Sequence, residues 1–467
     1  MKEKLNVRHT IMVGAAFLAI TAFWQMYNNV NPLILTNTFH LDETITGIIM
    51  AADNVFALFL LPIFGMLSDK TKTPMGKRKP FILVGTLLSV IIMIQLPILD
   101  DGYYDAPATW KIILYVVMLG LLLISMGSFR SPAVALMPDV TPKPFRSRGN
   151  AIINLMGSVG GIIYLLLTSF LYSKARTEKL AHVSYLMLFL IVAGIMLVAL
   201  FVVMMFVNEN KWVAQADEYE RTHSEEPLTV TGEPGKTVNT GAPDTNASEE
   251  SDKKKKGSSL EPPVLRSLLF LLISIALWFI AYNAIETWFT TYAAAKWNMS
   301  LGDSSMCLTI ATAAAIIMFI PLGILASKIG RKTSILIGVT MLFVNFLICF
   351  VYTFFSNQFS PILYVIFSLI GIGWAMINVN SLPMVVEMCK NSDIGKFTGY
   401  YYTFSMAAQI VTPVLAGFLL KNVGYYTLFL YSMLFSALAF FTMLFVRHGD
   451  HKSEAKKGIE AFDEMDS

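Results

Sequence analysis

The chain has 467 residues, of which 55% are hydrophobic and only 14% charged, and its formal net charge is +3. A soluble core of this length could not hide so much apolar surface, so the composition excludes a soluble protein and indicates a polytopic membrane protein. The three cysteines are scattered at positions 307, 349 and 389 and indicate neither a disulfide framework nor a metal cluster. We expect no cofactor and no nucleic-acid partner.

Twelve apolar stretches follow one another along the chain, each long enough to cross a bilayer as a helix. They cover residues 11–35, 45–67, 80–99, 112–136, 151–172, 183–207, 265–291, 304–326, 334–355, 361–386, 397–420 and 425–446. An even number of spans places both termini on the same side of the membrane. The sequence therefore predicts an all-α membrane protein with twelve transmembrane helices.

A polar turn occurs twice in related form. The copies read Gly65-Met-Leu-Ser-Asp69-Lys70, followed by Gly76-Lys77-Arg78-Lys79, and Gly323-Ile-Leu-Ala-Ser327-Lys328-Ile-Gly330-Arg331-Lys332. Each copy joins two apolar stretches, so the recurrence predicts two structural halves of six helices, as in transporters built from repeats. We expect a first bundle over 1–207, a linker over 208–264, a second bundle over 265–447 and a tail over 448–467.

The composition of the linker turns abruptly to Glu, Ser, Thr, Gly, Pro and Lys, which cannot bury enough apolar area to fold. We expect a disordered linker, with a short helix favoured around 211–221.

Basic residues predict the orientation, because short cytoplasmic loops are enriched in Lys and Arg. One side carries both repeated turns and Lys2, Lys4, Arg8, Lys143, Arg146, Arg148, Lys390, Lys396 and Arg447, whereas the opposite loops carry Asp42, Glu43, Asp100, Asp101 and Asp105. We expect the termini and the linker to be cytoplasmic, in a multi-pass protein of the plasma membrane.

Polar side chains inside the first span are the first candidates for ligand binding. Trp24 is followed by Gln25, Asn28, Asn29 and Asn31. Amides are costly in hydrocarbon unless they face a cavity or a partner. Trp24, Gln25 and Asn28 are predicted to bind substrate, and the alternative is that the amides form interhelical hydrogen bonds that hold the bundle together.

Three further polar or charged residues lie inside apolar spans of the first half. Asp53 lies about a third of the way into the second span, and a desolvated carboxyl there is a candidate proton carrier or else a permanently paired structural acid. Arg130, in the fourth span, stays charged and must meet a carboxylate or a polyhydroxyl ligand. Asn154, in the fifth span, is a weaker candidate for substrate binding.

The second half adds amides and acids beside aromatic residues. Asn283 and Glu286 lie between two tryptophans on the seventh span, and Trp374, Asn378 and Asn380 lie on the tenth. Amides that bind hydroxyls, next to aromatic faces that cover a pyranose ring, are typical of a sugar site. Asn283, Trp374, Asn378 and Asn380 are therefore predicted to bind substrate, and Glu286 is the second candidate proton carrier.

The repeated turns resemble the signature loop of the major facilitator superfamily. That resemblance implies that helices one, four, seven and ten line a central cavity. It also implies that charged residues near the turns form cytoplasmic latches between conformations, although solvated helix caps are the alternative for the acids. The latch candidates are Asp69, Lys70, Arg78, Asp139, Arg148, Lys328, Arg331, Glu387 and Lys396.

A narrower resemblance is to plant sucrose/proton symporters and their animal relatives. It rests on residues 68–82, on residues 132–140 with 146–151, and loosely on Ile285-Glu286-Thr287. The plant proteins carry a sugar-binding Arg where this chain has Val134, and Arg130 lies one turn earlier on the same face. Related sodium-coupled melibiose carriers have cation-binding acids at positions that align with Ala57 and Leu61, so the resemblance favours protons over sodium.

These observations predict a monomeric secondary transporter that imports a disaccharide or glucoside by proton symport through alternating access. A proton-coupled exporter of drugs or metabolites and a non-transporting sugar sensor remain alternatives. The sequence contains no clustered histidines, Cys-x-x-Cys, Walker loop or nucleophile motif among its spans, so we expect no enzyme.

Overall fold

The computed structural model describes residues 5–142, 145–224, 262–388 and 394–450. These residues form helices joined by short turns, and no strand occurs among them. The remaining parts of the predicted linker and tail lie outside the described residues, as do Lys2, Lys4, Lys143, Cys389 and Lys390.

Twelve described helices are long and apolar enough to cross a membrane, which confirms the predicted fold class. Two others, α6 and α8, are not among these spans. In chain order the helices are α1 (Val7–Leu33), α2 (Glu43–Lys70), α3 (Lys79–Asp105), α4 (Thr109–Val140), α5 (Arg146–Leu171), α6 (Lys174–Thr177), α7 (Leu186–Phe206), α8 (Glu209–Ser224), α9 (Pro262–Trp297), α10 (Leu301–Ile329), α11 (Arg331–Phe355), α12 (Ile362–Val386), α13 (Ile394–Asn422) and α14 (Thr427–Leu444).

Several helices extend beyond the apolar stretches that predicted them. The third span was expected to end at residue 99, but α3 continues to Asp105. The placement of Asp100, Asp101 and Asp105 in a loop is therefore wrong, and the side chain of Asp100 is fully buried. Hydropathy detects only the part of a helix that lies in hydrocarbon, whereas backbone hydrogen bonding continues into the interfacial layer.

Each half of the chain has its own apolar core. The first core includes Phe23, Leu96 and Tyr115, and the second includes Trp278 and Phe289. A third, smaller cluster joins the bundles, where Ala151 of α5 packs near Phe319 of α10 and Met376 of α12. Each bundle therefore has its own core, and the two bundles also pack against each other, since Leu301 of α10 belongs to the first core.

Each repeated turn contains a glycine with a positive φ, and the side that carries the turns is called the basic face below. Gly76 and Gly330 precede α3 and α11 with φ of +111° and +94°, a conformation that side chains with a Cβ rarely adopt. Just after each glycine, an arginine pairs with an acid at the end of a neighbouring helix: Arg78 with Asp139 at 2.8 Å, and Arg331 with Glu387 at 2.8 Å.

The next residue of each turn repeats this correspondence. Lys79 donates from Nζ to the carbonyl oxygens of Met204 and Val207, near the end of α7. Lys332 donates in the same way to Leu444 and Val446, near the end of α14. A cation near the last carbonyls of a helix stabilises its negative end, so both halves use one device at the basic face.

An acid that follows each half's last helix accepts backbone N–H groups where α3 and α11 begin. Glu209 of α8 accepts from Lys77 at 2.8 Å and Arg78 at 2.9 Å. Asp450 accepts from Lys332 at 3.0 Å. α8 occupies the start of the predicted linker, where the sequence favours a short helix, and its Trp212 stacks on His9 of α1.

The other latch candidates also lie at the basic face. Asp69 pairs with Arg78 at 2.5 Å, and Lys396 Nζ lies 5.8 Å from the centroid of the Tyr400 ring. Lys70, Arg148 and Lys328 are exposed. The ion pairs described here for Arg78 and Arg331 each join helices of a single bundle.

On the opposite face, polar contacts join the two bundles. Lys421 of α13 forms a 2.8 Å ion pair with Asp42, the N-cap of α2, and Tyr425 donates to Glu43 at 2.6 Å. The backbone N–H of Gly302 donates to the carbonyl of Tyr172 at 2.9 Å. The bundles are thus held together at the end remote from the repeated turns.

Close backbone approach supports the same contact. Gly47 of α2 faces Pro413 of α13, and a Cβ at residue 47 would overlap the Pro413 carbonyl oxygen. Small residues allow helix backbones to approach closely in membranes. Gly47 therefore permits the tight packing of α2 on α13.

Candidate functional site

A cavity between the bundles is the centre of the candidate site. It is lined from the first bundle by Asn28, Met50, Asp53 and Asn54, and from the second by Asn283, Glu286, Thr287, Gln409 and Pro413. Two carboxyls, one from each bundle, therefore line one space together with amide side chains. Such a lining supplies both hydrogen-bond donors and acceptors in a membrane interior where water is scarce.

Asp53 also borders a second cavity in the first bundle. That cavity includes Trp24 of α1 and Arg130 of α4. The Arg130 guanidinium carbon lies 5.5 Å from the centroid of the Trp24 ring, in a cation–π arrangement. The structure thus brings Trp24, Asp53 and Arg130 together, although they come from three different helices.

The carboxyl of Asp53 has a local hydrogen-bond partner. Its Oδ1 accepts from the backbone N–H and the side-chain amide of Asn54, at 2.5 and 2.7 Å. These bonds orient the carboxyl between the two cavities. Asp53 is therefore placed to face the arginine on one side and the second bundle on the other.

The amides of α1 divide into two groups. Asn28 lines the central cavity, whereas Asn29 donates to the carbonyl and side-chain oxygens of Gln25 at 2.6 and 3.3 Å. Asn31 donates to Tyr27 and accepts from Tyr115 at 2.7 Å. Asn29 and Asn31 thus fit the alternative that the sequence analysis left open, in which amides form structural hydrogen bonds.

An aromatic pair lies one helical turn from Glu286. Tyr282 of α9 stacks on Trp374 of α12, with ring centroids 3.8 Å apart and planes within 1°. Tyr282 and Glu286 are four residues apart and therefore share one face of α9. Trp374 reaches the site through this stacked pair.

Two of the remaining candidates, Asn283 and Asn380, bond to their own helices. The amide of Asn283 donates to Phe279 at 2.8 Å, and that of Asn380 donates to Met376 at 2.8 Å. The backbone carbonyl of Asn378 accepts from Ser381 at 3.5 Å. Asn154 is buried on α5, and it is not among the residues that line the two cavities described above.

Three polar lining residues, Asn54, Thr287 and Gln409, and the nearby Tyr282 were not among the predicted site residues. Gln409 is an amide within an otherwise apolar stretch, a signal of the kind that singled out Asn28. Asn54 and Thr287 are neighbours of candidate acids, and Tyr282 precedes Glu286 by one turn. Met50 and Pro413 carry no polar signal, so only helix packing places them at the cavity.

Curated relatives match only part of the chain. A sucrose transport protein of Arabidopsis thaliana is 25% identical over 138 residues, which cover 27% of this chain and 23% of that protein. A lactose permease of Lactobacillus helveticus is 29% identical over 162 residues, which cover 34% of this chain and 24% of that protein. The matches thus span about a quarter of each relative's length.

Solved structures match almost the whole chain in fold. A bacterial homologue of the iron transporter ferroportin, in an inward-facing state, has a TM-score of 0.64 at 13% identity and covers 94% of this chain and 99% of its own. The nucleoside transporter NupG has a TM-score of 0.63 at 12% identity, with coverages of 94% and 100%. At these identities the likeness shows the fold alone.

The family model of the Major Facilitator Superfamily matches residues 13–344 and 292–463, which together span most of the chain. The match agrees with the twelve spans and with the two bundles around a shared polar cavity. The protein belongs to the Major Facilitator Superfamily of membrane transporters and not to a family of enzymes.

Proposed function

We propose that this transporter imports a disaccharide or glucoside together with protons. The observation that carries the proposal is the shared cavity in which Asp53 and Glu286 face a common space with Asn28, Asn283 and Gln409. Partial similarity to sucrose and lactose transport proteins supports the substrate class.

The proposed sugar contacts follow from the chemistry of the lining. Amides donate and accept at once, so Asn28, Asn283 and Gln409 suit hydroxyl groups, which do the same. The stacked pair of Tyr282 and Trp374 offers apolar ring surface near Glu286. The other candidates are proposed to support this lining; they are Gln25, Asn154, Asn378 and Asn380. Gln25 and Asn380 form hydrogen bonds within their own helices.

The proposed coupling uses the two carboxyls. A proton symporter needs a group that is neutral when loaded and charged when empty, and a carboxyl removed from water can exchange a proton under the control of nearby charges. We propose that Arg130 is the nearby charge that controls proton exchange at Asp53, because both residues border one cavity. Proton binding and sugar binding would then occur in one continuous site.

Alternating access requires the bundles to separate at one face while they close at the other. The contacts of Asp42 with Lys421 and of Glu43 with Tyr425 hold the opposite face closed here. We propose that these contacts break when the site opens to that side, and that the arginine pairs of Arg78 and Arg331 brace each bundle during the movement. The basic face is proposed to be cytoplasmic, in the plasma membrane, and the unit a monomer.

The test is uptake into proteoliposomes that contain the full chain. Radiolabelled sucrose and maltose are supplied outside, with the interior either at the same pH or more alkaline. We expect accumulation that rises with the imposed pH gradient and collapses when a protonophore dissipates it. Gradient-independent uptake would remove the proton from the proposal, and outward movement of an amphipathic compound without sugar uptake would favour the exporter.

A further inference from the structure

A cluster of potential metal ligands lies at the opposite face of the first bundle, away from the transport cavity. Asp100 and Asp101 stand near the end of α3, and His182 lies in the segment between α6 and α7. Nε2 of His182 is 2.9 Å from Oδ1 of Asp101 and 3.9 Å from Oδ2 of Asp100. One ligand atom from each residue lies within 4.8 Å of the other two.

The surroundings of Asp100 do not compensate for the burial of a negatively charged carboxylate. Its side chain is 0% exposed, and neither carboxyl oxygen has a hydrogen-bond partner, although the Thr38 side chain lies beside it. A buried carboxylate is strongly unfavourable unless it is paired or bound to a metal ion. One imidazole, that of His182, faces the carboxyls of both Asp100 and Asp101, so even as a cation it could balance only one of the two negative charges.

We propose that Asp100, Asp101 and His182 form a binding site for a divalent transition-metal ion, with Zn²⁺ as the representative ion. Two carboxylates balance the charge of the ion, and an imidazole nitrogen selects against Mg²⁺ and Ca²⁺, which prefer oxygen ligands alone. Zn²⁺ holds such ligands at about 2.0–2.2 Å, which places them roughly 3.4 Å apart. Side-chain movements on the order of 1 Å bring the three ligand atoms to that spacing.

The surroundings orient the ligands as a metal site requires. Ser184 donates to Oδ2 of Asp101 at 2.6 Å, which leaves Oδ1 for the ion. The His182 ring stacks on Tyr104 with centroids 4.4 Å apart and planes 12° apart, which limits its rotation. Partners of this kind fix the direction of metal ligands and raise affinity. The Asp101 side chain is 31% exposed, so an ion can enter from the opposite face.

The site also adjoins a contact between the bundles. Tyr172 donates from its hydroxyl to the carbonyl of Ser184 at 3.0 Å, and its own carbonyl accepts from Gly302 of α10. An ion bound by Asp100, Asp101 and His182 therefore connects the end of α3 to the segment that holds Ser184. Through Ser184, that segment bonds to Tyr172, which contacts Gly302 of the second bundle. The expected consequence of binding is a higher thermal stability of the solubilised protein.

The test is Zn²⁺ binding by the full chain, purified in detergent with any affinity tag removed, measured by equilibrium dialysis with radioactive zinc. We expect one saturable Zn²⁺ per chain that excess Ca²⁺ does not displace. His182→Ala and Asp100→Asn should each weaken binding by at least tenfold and abolish the rise in melting temperature that Zn²⁺ causes in the wild-type protein. The matched control is His40→Ala, because His40 is an exposed histidine in the turn after α1 on the same face.

Three results would overturn the proposal. They are the absence of saturable binding to the wild-type chain, unchanged binding in His182→Ala, and equal weakening in His40→Ala. Melting without Zn²⁺ shows whether each variant is folded. If Asp100→Asn does not fold, Asp101→Asn takes its place, since it removes a second ligand at a partly exposed position. The readout is independent of transport, so it stands apart from the proposed sugar function.

Discussion

Asp53 of α2 and Glu286 of α9 line one cavity, so that a carboxyl from each bundle faces the same space. The two residues are 233 positions apart in the chain and meet only because α1, α2, α9 and α13 surround that cavity. A movement of the bundles relative to each other changes the surroundings of both acids at once. The proposed coupling of a proton to bundle movement rests on this relationship.

Asp53→Asn and Glu286→Gln test that coupling. Each amide mimics the protonated acid, so we expect loss of gradient-driven sugar accumulation in the variant of the obligatory carrier, while sugar counterflow survives because it needs no net proton movement. Glu178→Gln, at an exposed acid of the opposite face, is the matched control and should behave as wild type. Unchanged pH dependence in both cavity variants would mean that neither acid is the carrier.

Arg130→Lys tests the role of the guanidinium. Lysine keeps the charge but lacks the planar fork that holds two oxygens, and it stacks less well on Trp24. We expect sugar uptake to fall by about tenfold or more, the equivalent of one lost strong hydrogen bond, with normal amounts of folded protein in the membrane. Arg176→Lys, at an exposed arginine that covers Phe170, is the control. Wild-type uptake in Arg130→Lys would assign Arg130 a structural role.

Gly47→Ala tests the closure of the opposite face. The added Cβ would overlap the Pro413 carbonyl oxygen, so it should disfavour the closed contact of α2 and α13 by about 1–3 kcal/mol. We expect reduced uptake and faster labelling of an Asn28→Cys side chain from the opposite face by a membrane-impermeant maleimide. Gly194→Ala is the control, because a Cβ there meets no atom within 4 Å. Equal labelling rates in the two variants would contradict this role.

Asp42→Asn tests the ion pair with Lys421 through its pH dependence. The hydrogen bond from Lys421, followed by the backbone N–H of Ile45, lowers the pKa of Asp42 in the folded protein. Its stabilisation is therefore complete above the unfolded pKa of about 4 and disappears as the pH falls through the lower folded value.

The expected effect of Asp42→Asn is small but has a clear sign. Asparagine retains the N-cap of α2 and removes only the charge. We expect thermal unfolding near pH 7 to show a loss of about 0.5–1 kcal/mol, as for other partly exposed ion pairs, and the difference from wild type to narrow below about pH 4. A difference that stays constant across this range would show that the charge of Asp42 is not its source.

Local patterns in the sequence were sufficient for the twelve helices and the two polar turns. An apolar stretch long enough to span a bilayer is recognisable without any knowledge of its neighbours, because the thickness and apolarity of the bilayer set the length and composition of the helix. The same holds for polar residues such as Asp53, Arg130 and Glu286, whose position in an apolar stretch already indicates a cavity or a partner.

Helix packing decided which of those polar residues meet. Hydropathy is almost the same on all sides of a membrane helix, so it does not determine rotation about the helix axis. Close contacts such as Gly47 against Pro413 determine that rotation, and they bring Gln409 and Met50 to the cavity while Asn380 bonds within its own helix. The meeting of Asp100 with His182 likewise depends on tertiary structure, because the end of α3 and the segment before α7 are neighbours in space but distant in the chain.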